Sequence, residues 1–134
     1  MNPSTISPCI IVQNVQLARD FYSAHLNAVI TFDCGWYVNM EIGTAGATLQ
    51  FMQPQSPEQP LFQGGLTYNM QLQSTDLVNT MHDRIVGAGL PVVMPLEDHP
   101  WGDRGFATLD PYGVALYIYA ETEPSAEFQQ YFKK

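Results

Sequence analysis

The run Asp110, Pro111, Tyr112, Gly113 is the tightest constraint on what this chain can fold into. Asp suits the start of a turn, Pro fixes φ next, and Gly takes positive φ, so the chain reverses within a few residues. Strands must flank it, Arg104 to Leu109 before and Val114 to Tyr119 after. In the second, Val114, Leu116 and Ile118 alternate with Ala115, Tyr117 and Tyr119, and neither set is polar. A strand apolar on both faces belongs in the middle of its sheet, and here one face carries tyrosine rings.

Upstream, Ile6 to Gln13 has the β-branched composition of a first strand. Asn14 then caps a helix whose Val15, Ala18, Phe21, Tyr22 and Leu26 recur at helical spacing as far as Asn27. Val29 to Phe32, Trp36 to Ile42 and Ala47 to Met52 read as three strands separated by glycine turns. Pro54, Pro57, Pro60, Gly64 and Gly65 make residues 54–65 a connector. Beyond it, Leu66, Tyr68, Met70 and Leu72 are spaced by two, as in a half-buried strand. Asp76 opens a second helix with Leu77, Met81, Ile85 and Ala88 as its buried stripe and Gly89 as a left-handed cap, and Val92 and Val93 continue as a short strand.

The order βαβββ therefore occurs twice, with Asn14 and Asp76, Val15 and Leu77, and Asn27 and Gly89 in register. The expected architecture is one α+β domain of two βαβββ modules, spanning about residues 5–53 and 66–120. A C-terminal helix over about residues 124–133 follows, and its Ala126, Phe128, Tyr131 and Phe132 bury against the domain or against a second subunit.

With 134 residues the chain can bury a working core without metal or disulfide staples. A formal charge of −8 repels phosphate backbones and anionic membranes, so neither nucleic acid nor membrane is an expected partner. The same charge attracts cations. Cys9 and Cys34 lack metal-site spacing and read as free thiols, and no apolar run approaches membrane-spanning length, so a cytoplasmic protein is expected.

The stretch Pro100, Trp101, Gly102, Asp103, Arg104, Gly105, Phe106, set just before the hairpin, resembles the second-half signature of the vicinal oxygen chelate superfamily. That group holds the glyoxalases, bleomycin resistance proteins and extradiol dioxygenases, and the likeness is closest to the bleomycin-resistance branch. Val12, Asn14 and Val15, then Phe21 and Tyr22, and Gly35, Trp36, Tyr37 and Val38 extend it over nearly the whole chain. The resemblance implies curled mixed sheets around a pocket. In the superfamily's enzymes, His, Glu or Gln on the first, fourth, fifth and eighth strands hold a divalent metal.

Here those positions offer Ser7, Gln50, Tyr68 or Met70 and their neighbours, and Tyr117. Gln50 alone cannot hold a metal, and Glu41 or His99 would enter only through a shifted alignment. His25 and His82 fall in predicted helices and His99 in a loop, and no phosphate loop, GxSxG elbow or Cys–His pair replaces the missing set. What remains is aromatic: Trp36, Tyr68, Trp101, Phe106 and Tyr117, with Arg104, are the expected ligand-binding residues. The competing account makes each ring core filling, Trp101 a lid on the core and Arg104 the surface partner of Asp103.

The expectation is a homodimeric protein without a cofactor that sequesters a drug-like, cationic aromatic small molecule without chemistry. The alternative is a metal-dependent lyase, isomerase or dioxygenase of the same superfamily.

Overall fold

Alternation along eight strands decides which side of each sheet receives a helix. The computed structural model describes residues 1–133, which form two compact units, Met1–Gly64 and Gly65–Lys134. Each unit runs βαβββ into a four-stranded mixed sheet.

Unit one comprises β1 (Cys9–Ile11), α1 (Gln16–Leu26), β2 (Val29–Asp33), β3 (Tyr37–Ile42) and β4 (Ala47–Met52), in the sheet order β1-β4-β3-β2. β1 runs parallel to β4 and the other pairs are antiparallel. Ile10, Val38, Met40, Leu49 and Phe51 are buried from the sheet, and Val15, Ala18, Phe21 and Tyr22 from the helix segment. Tyr22 meets Phe51 at a ring separation of 5.4 Å. The opposite face carries Tyr37 with Met52, Asn39 with Gln50, and Glu41 with Thr48, each directly paired across β3 and β4. Asn14 accepts the Gln16 N–H at 2.9 Å at the helix start, and Asn27 ends α1 at φ 54°.

Unit two comprises β5 (Thr67–Gln71), α2 (Thr75–Gly87), β6 (Val92–His99), β7 (Asp103–Leu109), β8 (Ala115–Glu121) and the short α3 (Ala126–Gln129). Its sheet order is β5-β8-β7-β6, which puts β8 in the interior as its double-sided apolar pattern requires. Val78 and Ile85 of α2 pack with Phe106, Ile118 and Ala120, joined by Met70, Leu72, Met81 and Leu96. The hairpin signal is satisfied locally: Asp110 Oδ1 accepts the N–H groups of Tyr112 and Val114 at 2.8 and 2.9 Å, and Gly113 sits at φ 86°.

Four expectations are corrected. Ser74, not Asp76, caps α2, its hydroxyl accepting the Leu77 N–H at 3.2 Å. In the buried stripe Val78 consequently takes the place expected for Leu77, which is exposed, while Ile85 is buried and Met81 packs against the core as expected. β6 continues through Pro95 to His99 because it is an edge strand, where a missing N–H is tolerated. The C-terminal helix is a single turn, and Tyr131 and Phe132 beyond it are exposed.

The ladders between inner strands run without a break over six pairs for β3–β4 and seven for β7–β8. Register shifts fall in the pairings of one outer strand of each sheet, between Ile30 and Phe32 in β2 and at Val92, Met94 and Glu97 in β6, while the other outer strands, β1 and β5, pair without a break.

Candidate functional site

The four residues from His99 to Gly102 lead into Asp103, and together they gather the polar chemistry of unit two. Gly102 takes φ 112° and donates its N–H to His99 O at 3.1 Å, which brings His99 and Asp103 into register as a cross-strand pair. Directly paired residues project to one face of a sheet. Asp103 also pairs with Glu121, and Gly105 pairs with both Glu97 and Tyr119, so all of these share that face.

Asp103 is 7% exposed, and an ionised carboxylate so buried must be fully hydrogen-bonded to be tolerated. Three side chains do this. His99 Nδ1 lies 2.7 Å from Oδ1, the Tyr117 hydroxyl donates to the same oxygen at 2.7 Å, and the Trp101 indole N–H donates to Oδ2 at 2.9 Å. The Trp101 and His99 rings stack at 4.3 Å with an interplanar angle of 3°. Burial, followed by the hydrogen bond to Asp103, pushes the Tyr117 phenol well above the usual tyrosine range.

Gly105 lets the tyrosines lie close to β7. A Cβ there would stand 2.8 Å from Tyr119 Cβ and 2.9 Å from both Tyr117 Cζ and its hydroxyl. The two tyrosine rings stack at 5.4 Å, and Gln71 ties Tyr119 to Glu121 through contacts of 3.4 and 3.1 Å. The result is an aromatic floor with Asp103 buried at one end, Glu97 and Glu121 on the same face, and Trp101 left 41% exposed. The one Lys or Arg in the described strands of this unit, Arg104, is on the other face, where it donates to Asn79 of α2 at 2.9 Å and pairs with Asp98.

Of the ligand-binding residues expected from sequence, Trp101 and Tyr117 are brought together here. Two are relocated. Phe106 is fully buried in the core beneath α2, with its ring edge to His82 at 4.9 Å. Arg104 bonds to the helix rather than to Asp103, because adjacent strand residues point to opposite faces. Tyr68 is half-buried on β5 and alternates in phase with Met70 of the core. Trp36 belongs to unit one, 45% exposed at the bend before β3. That bend is held by Arg19, which forks onto Asp33 and donates to Gly35 O at 3.0 Å.

Asp103, Tyr119, Glu121 and His99 were not singled out as ligand residues by sequence reasoning. The available signal was the spacing of His99 and Asp103 around Gly102, which closes a hairpin only if β6 is extended past Pro95.

The matching face of unit one is a chain of neutral side chains. Ser7 donates to Gln50 Oε1 at 3.0 Å, Gln50 Nε2 donates to Asn39 Oδ1 at 2.6 Å, and Asn39 Nδ2 donates to the Thr31 hydroxyl. A separate open hollow in this unit, lined by Gln13, Gln53 and residues 54–57, offers neither charge nor rings.

Residues 5–118 match the family model described as Glyoxalase/Bleomycin resistance protein/Dioxygenase superfamily. The chain belongs to that superfamily. An uncharacterized protein of Mycobacterium bovis is 29% identical over 119 residues, covering 81% of this chain and 77% of its own length. Among solved structures, lactoylglutathione lyase from Agrobacterium tumefaciens superposes with a TM-score of 0.71 at 17% identity over 90% of this chain and 96% of that one. The fosfomycin resistance protein FosX from Listeria monocytogenes, complexed with Mn(II) and sulfate, gives 0.70 at 17% identity over 98% and 100%. At such identities the likeness speaks for the fold.

A divalent metal is the group this fold family implies. Of the residues at the corresponding positions, Ser7 and Gln50 are neutral and bonded to each other, and the Tyr117 phenol is held protonated against a carboxylate. Among the described residues, no three of His, Cys, Asp and Glu converge. This donor set does not fit a hard divalent cation, which needs several carboxylate or imidazole ligands. Among the described residues, no helix is long and apolar enough to cross a membrane.

Proposed function

We propose that the protein binds a small, drug-like aromatic cation on the open face of unit two, without a metal and without chemistry. One observation carries this reading: the rings of Trp101, Tyr117 and Tyr119 share a face with Asp103, Glu97 and Glu121, and no strand Lys or Arg among the described residues points there. A cation over an aromatic face gains about 0.5–2 kcal/mol, more as water is excluded, and the carboxylates add attraction from the same side. The net charge of −8 raises the local concentration of such ligands. Two chains acting together fit the apolar Val29, Phe32 and Trp36 side chains left exposed on unit one, and light scattering reads that assembly state.

The experiment is a titration with naphthylmethyl-trimethylammonium, followed by tryptophan fluorescence, against the neutral naphthylmethanol. The cation should bind at least about tenfold more tightly, with the difference shrinking at high salt. Trp101→Ala should remove the fluorescence response and most of the affinity. Equal binding of cation and neutral analogue, or a chelator that abolishes binding, overturns the reading.

A further inference from the structure

His99 is the one group in the site with an unused hydrogen-bonding atom whose orientation is fixed. Asp103 is an acceptor, so His99 Nδ1, at 2.7 Å from its Oδ1, carries the hydrogen. In the neutral ring this leaves the lone pair on Nε2. The carboxylate on one side and the Trp101 stack at 4.3 Å hold the imidazole plane in place, with only 8% of the side chain exposed. No hydrogen bond from a described residue engages Nε2. An acceptor fixed in advance loses little freedom on binding, so it discriminates sharply between ligands that can donate and those that cannot.

We infer that His99 selects the ligand: Nε2 accepts a hydrogen bond from an N–H of a primary or secondary ammonium, while the aromatic part of the ligand lies against Trp101 and the tyrosine floor. Quaternary ammonium ions of the same ring and charge keep the stacking and the attraction but carry methyl groups where the hydrogens would be. The inference rests on the binding reading above and narrows it to aromatic amines. The groups facing this region are Glu97 and His99 from β6, Asp103 from β7, and Tyr117, Tyr119 and Glu121 from β8, while β5 contributes the neutral Asn69 and Gln71. Arg104 and Asp98 lie on the face toward α2.

The test compares naphthylmethylammonium with naphthylmethyl-trimethylammonium by calorimetry. Wild-type protein should prefer the primary ammonium by about tenfold, the size expected for one hydrogen bond to a charged donor. His99→Phe keeps a flat ring against Trp101 and should bind both probes with about equal affinity. Because that substitution also takes a donor from Asp103, a second measurement uses wild-type protein alone, acidified while the His99 ring is followed by NMR. Once Nε2 is protonated it can no longer accept, and the preference should vanish. The carboxylates of Glu97 and Glu121 can also accept from the primary ammonium, and His99→Phe, which leaves both in place, separates their share of the preference from that of His99. If both probes bind wild type equally, or if the preference survives protonation, His99 is not the selector. Failure of both probes to bind removes the site itself.

Discussion

Gly105→Ala is the sharpest mechanical test of the site. The added methyl would lie 2.8 Å from Tyr119 Cβ and 2.9 Å from Tyr117 Cζ and hydroxyl. Rotating a ring cannot relieve the first contact, since Cβ is fixed to the backbone, so β7 and β8 must separate locally. Overpacking of this kind costs about 1–3 kcal/mol. Displacing the Tyr117 hydroxyl from its 2.7 Å bond to Asp103 adds about 1.5–3 kcal/mol, because the acceptor is a buried carboxylate. Against this, replacing Gly with Ala lowers the entropy of the unfolded chain and returns about 0.4–1 kcal/mol. The clash wins, with a net loss of about 1.5–5.5 kcal/mol. In a Trp36→Phe background the remaining tryptophan, Trp101, reports on unit two alone. Urea unfolding followed by its emission should show the midpoint falling by about 1–3 M for a typical slope of about 2 kcal/mol/M. A midpoint within about 0.3 M of the parent would mean that Tyr117 is not pinned over Gly105 and that the aromatic floor is wrongly described.

The relocated residues separate core from site. Phe106→Ala should destabilise unit two by about 3–5 kcal/mol, read by the same urea assay. Arg104→Ala should leave affinity for the cationic probe unchanged within twofold, because Arg104 lies on the helix-facing side. Gln50→Ala breaks the chain that joins Ser7 to Asn39 and should cost about 1–3 kcal/mol by thermal or urea melting. In an alkaline absorbance titration, Tyr117 should stay protonated while exposed phenols ionise, so Tyr117→Phe should leave the main step near the usual tyrosine value unchanged. The hydrogen bonds from Arg19 and the Gly35 N–H hold the Asp33 carboxyl below its ordinary value. Its contribution to stability is therefore complete above the unfolded-state pKa of about 4 and is lost as pH falls through the lower folded value. Asp33→Asn should flatten that part of the acid unfolding profile.

Periodicity and punctuation carried the fold in the sequence. The period of two in Tyr68, Met70 and Leu72, and the turn at Asp110 to Gly113, are local signals that tertiary structure had no reason to override. The β8 pattern, apolar on both faces, named its own central place. The start of α2 was harder, because Ser74, Thr75 and Asp76 are all good caps and only backbone geometry selects Ser74. The site was half legible. Trp101 stood out as a ring near a turn and Tyr117 as one of the rings along one face of the last strand, but the sides taken by Arg104 and Phe106 depend on strand register, where a slip of one residue exchanges the faces. Asp103 was hidden for another reason: beside Arg104 it looks like half of a surface ion pair, and its true partners come from three positions brought together only by the hairpin.

The register breaks in β2 and β6 give each sheet a way to stop growing at that edge. Each sheet ends on one of these strands, and an outer strand with a regular row of free N–H and C=O groups would template the next chain to arrive. β2 needs protection most, since Val29, Ile30 and Phe32 are all exposed. The irregularity after Ile30 interrupts the hydrogen-bonding row there, and Pro95 together with the two shifts of β6 does so in the other unit. Straightening either strand would turn an interrupted boundary into a growth front, a seed for stacked sheets.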